Sequence, residues 1–215
     1  MPPVQRPARK APRAYHHGNL RRALLDQALA TIRTEGVDGV TLRDIGARLG
    51  VSRTALYRHF ADKRALLAAV ATEGFRMLRQ QLVAAWEDGG RGDAAFHAMG
   101  VAYVRFAVDN PAHYRVIFGG FIDPGAKEPE LETEARGAFQ ALVDAVIALQ
   151  REGVFLEDDP VQMATYSWTL VHGISMLAID GQLPHPIAVD DLVRYSFKRL
   201  RTGILANRAG AKDSR

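Results

Sequence analysis

The chain has no cysteine. Disulfides and thiolate metal sites are therefore excluded, and a reducing compartment such as the cytoplasm suits this composition. No run of eighteen apolar residues occurs, so no membrane span is expected. No segment alternates with period two for long enough to predict a strand. The basic start, with Arg6, Arg9 and Lys10, is not followed by an apolar stretch, so it does not read as a secretion signal. Catalytic constellations are missing as well. There is no H-E-x-x-H, no glycine-rich phosphate loop, and no carboxylate near His172 in sequence.

What is present is an uneven charge on a chain able to build a core. Of 215 residues, 47% are apolar. Residues 1–65 carry 13 basic and 5 acidic side chains, a net +8, while the remaining 150 carry 15 and 19, a net −4. A basic head on a mildly acidic body points one end of the chain at a polyanion.

Apolar spacing is helical almost throughout, which predicts an all-α protein. Residues 1–14, rich in Pro, Arg and Ala, read as a disordered basic arm, and 206–215 as a disordered polar tail. Leu24, Leu25, Ala28, Leu29 and Ile32 form a first helical stripe ending at Gly36. Thr41 caps a second helix, with Asp44 as its capping-box partner and Ile45 and Leu49 facing inward. Ser52 caps a third, with Leu56 and Phe60 inside. Asp62 caps a longer fourth helix that ends near Asp88. Phe96, Met99, Tyr103 and Phe106 mark a fifth, and Tyr114 and Phe118 a short sixth after Pro111. Residues Gly119–Glu134 read as a mobile loop. Phe139 to Leu149 mark a seventh helix, Asp159 caps an eighth, and a ninth runs from about Val189 to Leu205.

The second and third helices meet at Gly50-Val51-Ser52, a helix-turn-helix spacing. The turn needs a residue tolerant of positive φ, and Gly50 is that residue. With Leu56 and Phe60 inward, Arg53, Thr54, Tyr57 and Arg58 are left to enter a major groove. Residues 41–67, TLRDIGARLGVSRTALYRHFADKRALL, resemble the DNA-binding domain of the tetracycline-repressor (TetR) family, and YHHGNLRRALLDQALATIRTEG from Tyr15 resembles that family's first helix. Trp168 and His172-Gly173, in SWTLVHGISML, with NPAHYRVIFGG from Asn110, are similar to a branch named for a Trp-His-Gly signature. The match departs at Thr54-Ala55, where the family has Gly-Thr, and at Arg64, where it has an acid. Those changes bear on which operator is read.

The resemblance implies nine or ten helices: a DNA-binding domain over 15–65 and an effector-binding and dimerisation domain over 66–205. It implies operator DNA, a small-molecule effector and a second copy of the chain as partners, with no cofactor, metal or membrane. Carried over residue by residue, Thr41 and Arg43 resemble backbone-anchoring positions at the start of the second helix, and Ser52, the cap of the third, belongs to the DNA-binding set. Arg53 and Thr54 face base edges, Tyr57, His59 and Lys63 grip phosphates, and Arg58 serves either role. The bland readings are packing for Tyr57, a capping role for His59, and a solubilising tail for Arg6, Arg9, Lys10 and Arg13 rather than an arm in the minor groove.

The candidate effector-pocket residues are Phe96, Met99, Tyr103, Phe106, Tyr114, Phe118, Phe139, Trp168 and His172, all of which also read as ordinary core. The eighth helix is apolar around most of its circumference, so one side is expected to face a partner subunit. Leu170, Gly173, Ile174, Leu177, Val193 and Leu200 are the candidate interface, with Ile204 extending the ninth helix's stripe. A transcriptional repressor released by a small, largely apolar effector is the favoured reading. The alternatives are a small helical enzyme and a DNA-binding protein without an effector.

Overall fold

The computed structural model describes residues 20–122, 128–184 and 188–202. The arm over 1–14, the tail over 206–215 and Ile204 lie outside them. The described residues form nine α-helices: α1 (Leu20–Glu35), α2 (Leu42–Leu49), α3 (Arg53–Tyr57), α4 (Lys63–Asp88), α5 (Asp93–Asp109), α6 (Pro111–Phe118), α7 (Pro129–Arg151), α8 (Pro160–Ile179) and α9 (Val189–Thr202). The chain divides into two compact units after Lys63.

In the first unit, α1 packs on α2 and α2 on α3. Leu24, Leu25, Ala28, Ile32, Val40, Ile45, Leu56 and Phe60 are all under 5% exposed. Each of these side chains larger than alanine contributes about 1.5–3 kcal/mol by leaving water, and that burial holds together helices too short to persist alone. Arg48 joins α2 to α1, donating to Thr31 Oγ1 at 3.1 Å and to Glu35 at 2.6 Å. Leu49, expected inside, is half-buried. α3 is shorter than the apolar pattern suggests: it ends at Tyr57, and Phe60 reaches the core from a turn whose N–H donates to the Leu56 carbonyl.

In the second unit, α5 lies against α6, α8 and α9, and α8 against α7 and α9. Tyr114, Phe106, Met99, Leu78 and Leu149 are among its most deeply buried side chains. The segment expected as a loop over Gly119–Glu134 is partly helical, because α7 already begins at Pro129. Proline at the first turn lacks the N–H that a helix start leaves unpaired, and Glu130 and Glu132 suit the positive end of the helix. Tertiary pairing adds to this: Glu134 accepts from Arg76 and Arg79 of α4, each at 3.0 Å, while Glu130 accepts from Arg76 at 2.7 Å.

Candidate functional site

The first unit builds its surface from two capped helices. Thr41 is extended and its Oγ1 accepts from Asp44 N at 3.1 Å. Its hydroxyl donates in turn to the Asp44 carboxylate at 2.7 Å, which holds that carboxyl below its ordinary range. Gly50 closes α2 at φ +67°, and Val51 N–H returns to the Gly46 carbonyl at 3.0 Å. Ser52 Oγ accepts from Ala55 N at 3.2 Å, starting α3 at once. Gly46 sets the closeness of the two helices, since a Cβ there would stand 2.9 Å from Leu56 Cδ1.

This frame turns a polar set outward. Thr41, Arg43, Ser52, Arg53, Thr54, Tyr57, Arg58 and His59 are all exposed. Arg53 lies over the Tyr57 ring, 5.4 Å from its centroid, so the two side chains are mutually positioned in solvent. Tyr57 is 44% exposed, which sets it apart from the packing residues Leu56 and Phe60. Lys63 differs from the others: it is half-buried and its ammonium donates to the Asp38 carbonyl at 3.2 Å. It closes the turn after α1 with one of three donors.

The second unit contains a cavity of about 320 Å³, within the range of small-molecule sites. Six of the nine pocket candidates line it: Phe96, Met99, Tyr103, Phe118, Phe139 and Trp168. Phe106, Tyr114 and His172 do not. Phe106 and Tyr114 are fully buried core, and His172 stands behind the wall as a hydrogen-bond partner. Sequence reasoning missed Phe75 and Leu82 from α4, Leu142 from α7, and Phe197 from α9. It also missed Gly100, Ala135, Ala138 and Ser167, whose small size makes the room. Bulky apolar residues carry a signal of burial, but an empty space is made by residues that carry little.

Polar groups at this cavity are already engaged. Trp168 Nε1 donates to Tyr103 Oη at 2.9 Å, Tyr103 Oη lies 3.1 Å from Tyr114 Oη, and Tyr114 Oη lies 2.7 Å from His172 Nδ1. Indole can only donate. The order that satisfies all three contacts runs from Trp168 through the two phenols to an Nδ1 that accepts. Burial pushes both phenols up and the imidazole down, so phenols stay protonated and the ring neutral, as this order needs. Ser167 donates to the Met163 carbonyl at 2.9 Å. The cavity thus presents hydrocarbon and aromatic faces, with no uncommitted hydroxyl or indole hydrogen among the described residues that line it.

On α8 the outward residues include Tyr166 at 60% exposed, Leu177 at 43%, and Gly173, where an added Cβ would meet nothing within 4 Å. Two interface candidates are corrected. Val193 is fully buried and Ile174 nearly so, both in the unit's own core, because α5 and α8 pack on α9 within one chain. Leu170 and Leu200 are half-buried against that core.

The sequence pattern of the bacterial regulatory proteins of the tetR family matches residues 24–70, and that of the tetracyclin repressor-like C-terminal domain matches 96–200. A Bacillus subtilis (strain 168) protein described as the uncharacterized HTH-type transcriptional regulator YobS is 25% identical over 191 residues, 88% of this chain and 95% of its own. Among solved structures, a protein of unknown function from Rhodococcus sp. RHA1 superposes with a TM-score of 0.78 at 33% identity, covering 88% of this chain and 97% of that one. AibR, solved in complex with isovaleryl coenzyme A and operator DNA, shares the fold with a TM-score of 0.64 at 16% identity, covering 84% and 96%.

Proposed function

Since this chain belongs to the tetracycline-repressor family of bacterial transcriptional regulators, we propose that it is a dimeric cytoplasmic repressor that leaves a palindromic operator when a small apolar molecule fills the cavity of its second unit. The observation that carries the reading is the pairing of an exposed Arg53–Tyr57 face on a capped helix-turn-helix with an apolar cavity of about 320 Å³. A chain that only bound DNA would have no use for the second. The complex of AibR with both a thioester ligand and DNA is consistent with one chain of this fold holding both partners.

In this reading Arg53 and Thr54 meet base edges, while Thr41, Arg43, Ser52, Tyr57 and His59 contact the phosphate backbone. Arg58 lies between these roles, and Lys63 chiefly holds the turn. Tyr166, Gly173 and Leu177 of α8 face the second copy, because two large apolar side chains beside an open glycine allow close approach of a matching helix. Effector binding favours a dimer whose two recognition helices no longer match successive major grooves. Coupling of this kind is reciprocal, so operator DNA weakens effector binding by the same factor.

The test is selection of bound sequences from random DNA by the full chain, followed by titration of the selected site against a panel of apolar compounds. A two-fold symmetric site released by at least one compound that also raises the melting point is the expected result. No enriched sequence, or binding indifferent to every compound that stabilises the protein, would overturn the reading.

A further inference from the structure

A second hollow, of about 600 Å³, opens between the start of α5 and α9. Its walls differ in kind from those of the apolar cavity. Phe155 and Leu200 contribute apolar surface, and Arg194 and Lys198 contribute two cations one turn apart on α9. Asp93 is the single carboxylate among its described lining residues. Asp190 is drawn to Arg105, and Asp191 pairs with Arg194 at 2.7 Å.

The two hollows share walls, because Phe96 and Phe197 line both. Their rings meet edge to face with centroids 5.7 Å apart. Phe197 lies against α5 at Gly100, where a Cβ would stand 2.5 Å from the ring. The ring pair therefore stands between the two spaces, and a ligand reaching from one to the other requires Phe197 to move.

His97 is the group that asks for a ligand. Its Nε2 is buried without a hydrogen-bond partner among the described residues. Its ring packs on Phe197 at 5.7 Å, so it stands at the same ring pair. Orphaned buried polar atoms are costly and uncommon in native proteins. Burial, and next to it the charge of Arg194, hold the imidazole below its ordinary range, so an arriving anion meets a neutral ring able to donate.

We propose that the effector is an amphipathic carboxylate whose apolar chain occupies the large cavity and whose head is held by His97, Arg194 and Lys198 beyond the Phe96–Phe197 pair. This rests on the effector reading above. The division of labour follows from the walls: hydrogens at the large cavity are spent on one another, whereas the second hollow carries positive charge and an imidazole Nε2 with no hydrogen-bond partner among the described residues.

Decanoate and decan-1-ol, matched in chain length, separate the two halves of the idea. Calorimetry on the unaltered full chain should find decanoate bound at least about tenfold tighter, as expected for charge-assisted hydrogen bonds. Arg194→Ala with Lys198→Ala, both on exposed side chains, should abolish that preference while decanol binding is unchanged. His97→Phe, tested separately, should reduce it. Decanol binding as well as decanoate would overturn the head site and leave the cavity reading standing. Binding of neither would overturn both. A preference that survives the double substitution would place acid recognition elsewhere and overturn the proposal. Loss of preference only together with loss of the dimer in sedimentation would overturn it too, making this face a contact between copies.

Discussion

Arg53 and Tyr57 hold one another in solvent, so their substitutions separate reading from gripping. Arg53→Ala is expected to relax base preference at one position of each half-site, at a cost of about 1–3 kcal/mol. Tyr57→Phe keeps the stack and should weaken all sequences about equally. An unchanged sequence logo for Arg53→Ala would remove it from the base-reading set. Gly50→Ala forces a Cβ into the left-handed region at φ +67° and should cost about 1–2 kcal/mol in denaturant unfolding. His172 adds a pH dependence. Burial lowers its pKa from the ordinary 6.5, so the folded state prefers the neutral ring. The stability it contributes is complete above that value and is lost as pH falls through the folded pKa, because the unfolded chain binds the proton first. The melting temperature should drop below about pH 6.5, and less steeply in His172→Asn. Equal slopes would show that the imidazole is not the titrating group.

Elements were legible wherever a cap and an apolar stripe agreed. Thr41, Ser52 and Asp159 each accept from the backbone of the helix they start, as their residue types suggest. The start of α7 was hidden because its residues are acidic and proline-led, and the contacts that order Glu130 and Glu134 come from Arg76 and Arg79 more than fifty positions earlier. Val193 misled for a related reason: a stripe on α9 announces burial but not whether the covering surface belongs to the same chain. Glu134→Ala should therefore loosen this end of α7. Amide exchange should quicken over 129–135 with a stability loss of about 1 kcal/mol. Unaltered exchange there would mean that Leu131 alone anchors the helix start.

At the scale of the whole molecule, the proposed function requires a second copy. Leu177→Arg with Tyr166→Glu places charges on the outward face of α8 and disturbs no buried side chain. Sedimentation should report a monomer of near-native melting temperature, with operator affinity reduced at least about a hundredfold because only one half-site is then engaged per molecule. A dimer that still binds would move the interface to another face. The outward polar set of α2 and α3, Lys63 apart, could be read from the chain because one short motif carries it. The cavity could be read only in part, because six helices, spread from Phe75 to Phe197, contribute its walls.

The chain has two tryptophans, Trp86 and Trp168. Trp168 stands in the cavity wall with its indole hydrogen given to Tyr103. An occupant of the cavity must touch that ring or disturb that bond, and indole emission responds to both. In Trp86→Phe protein the remaining fluorescence becomes an optical gauge of occupancy, readable in solution without a label and without DNA.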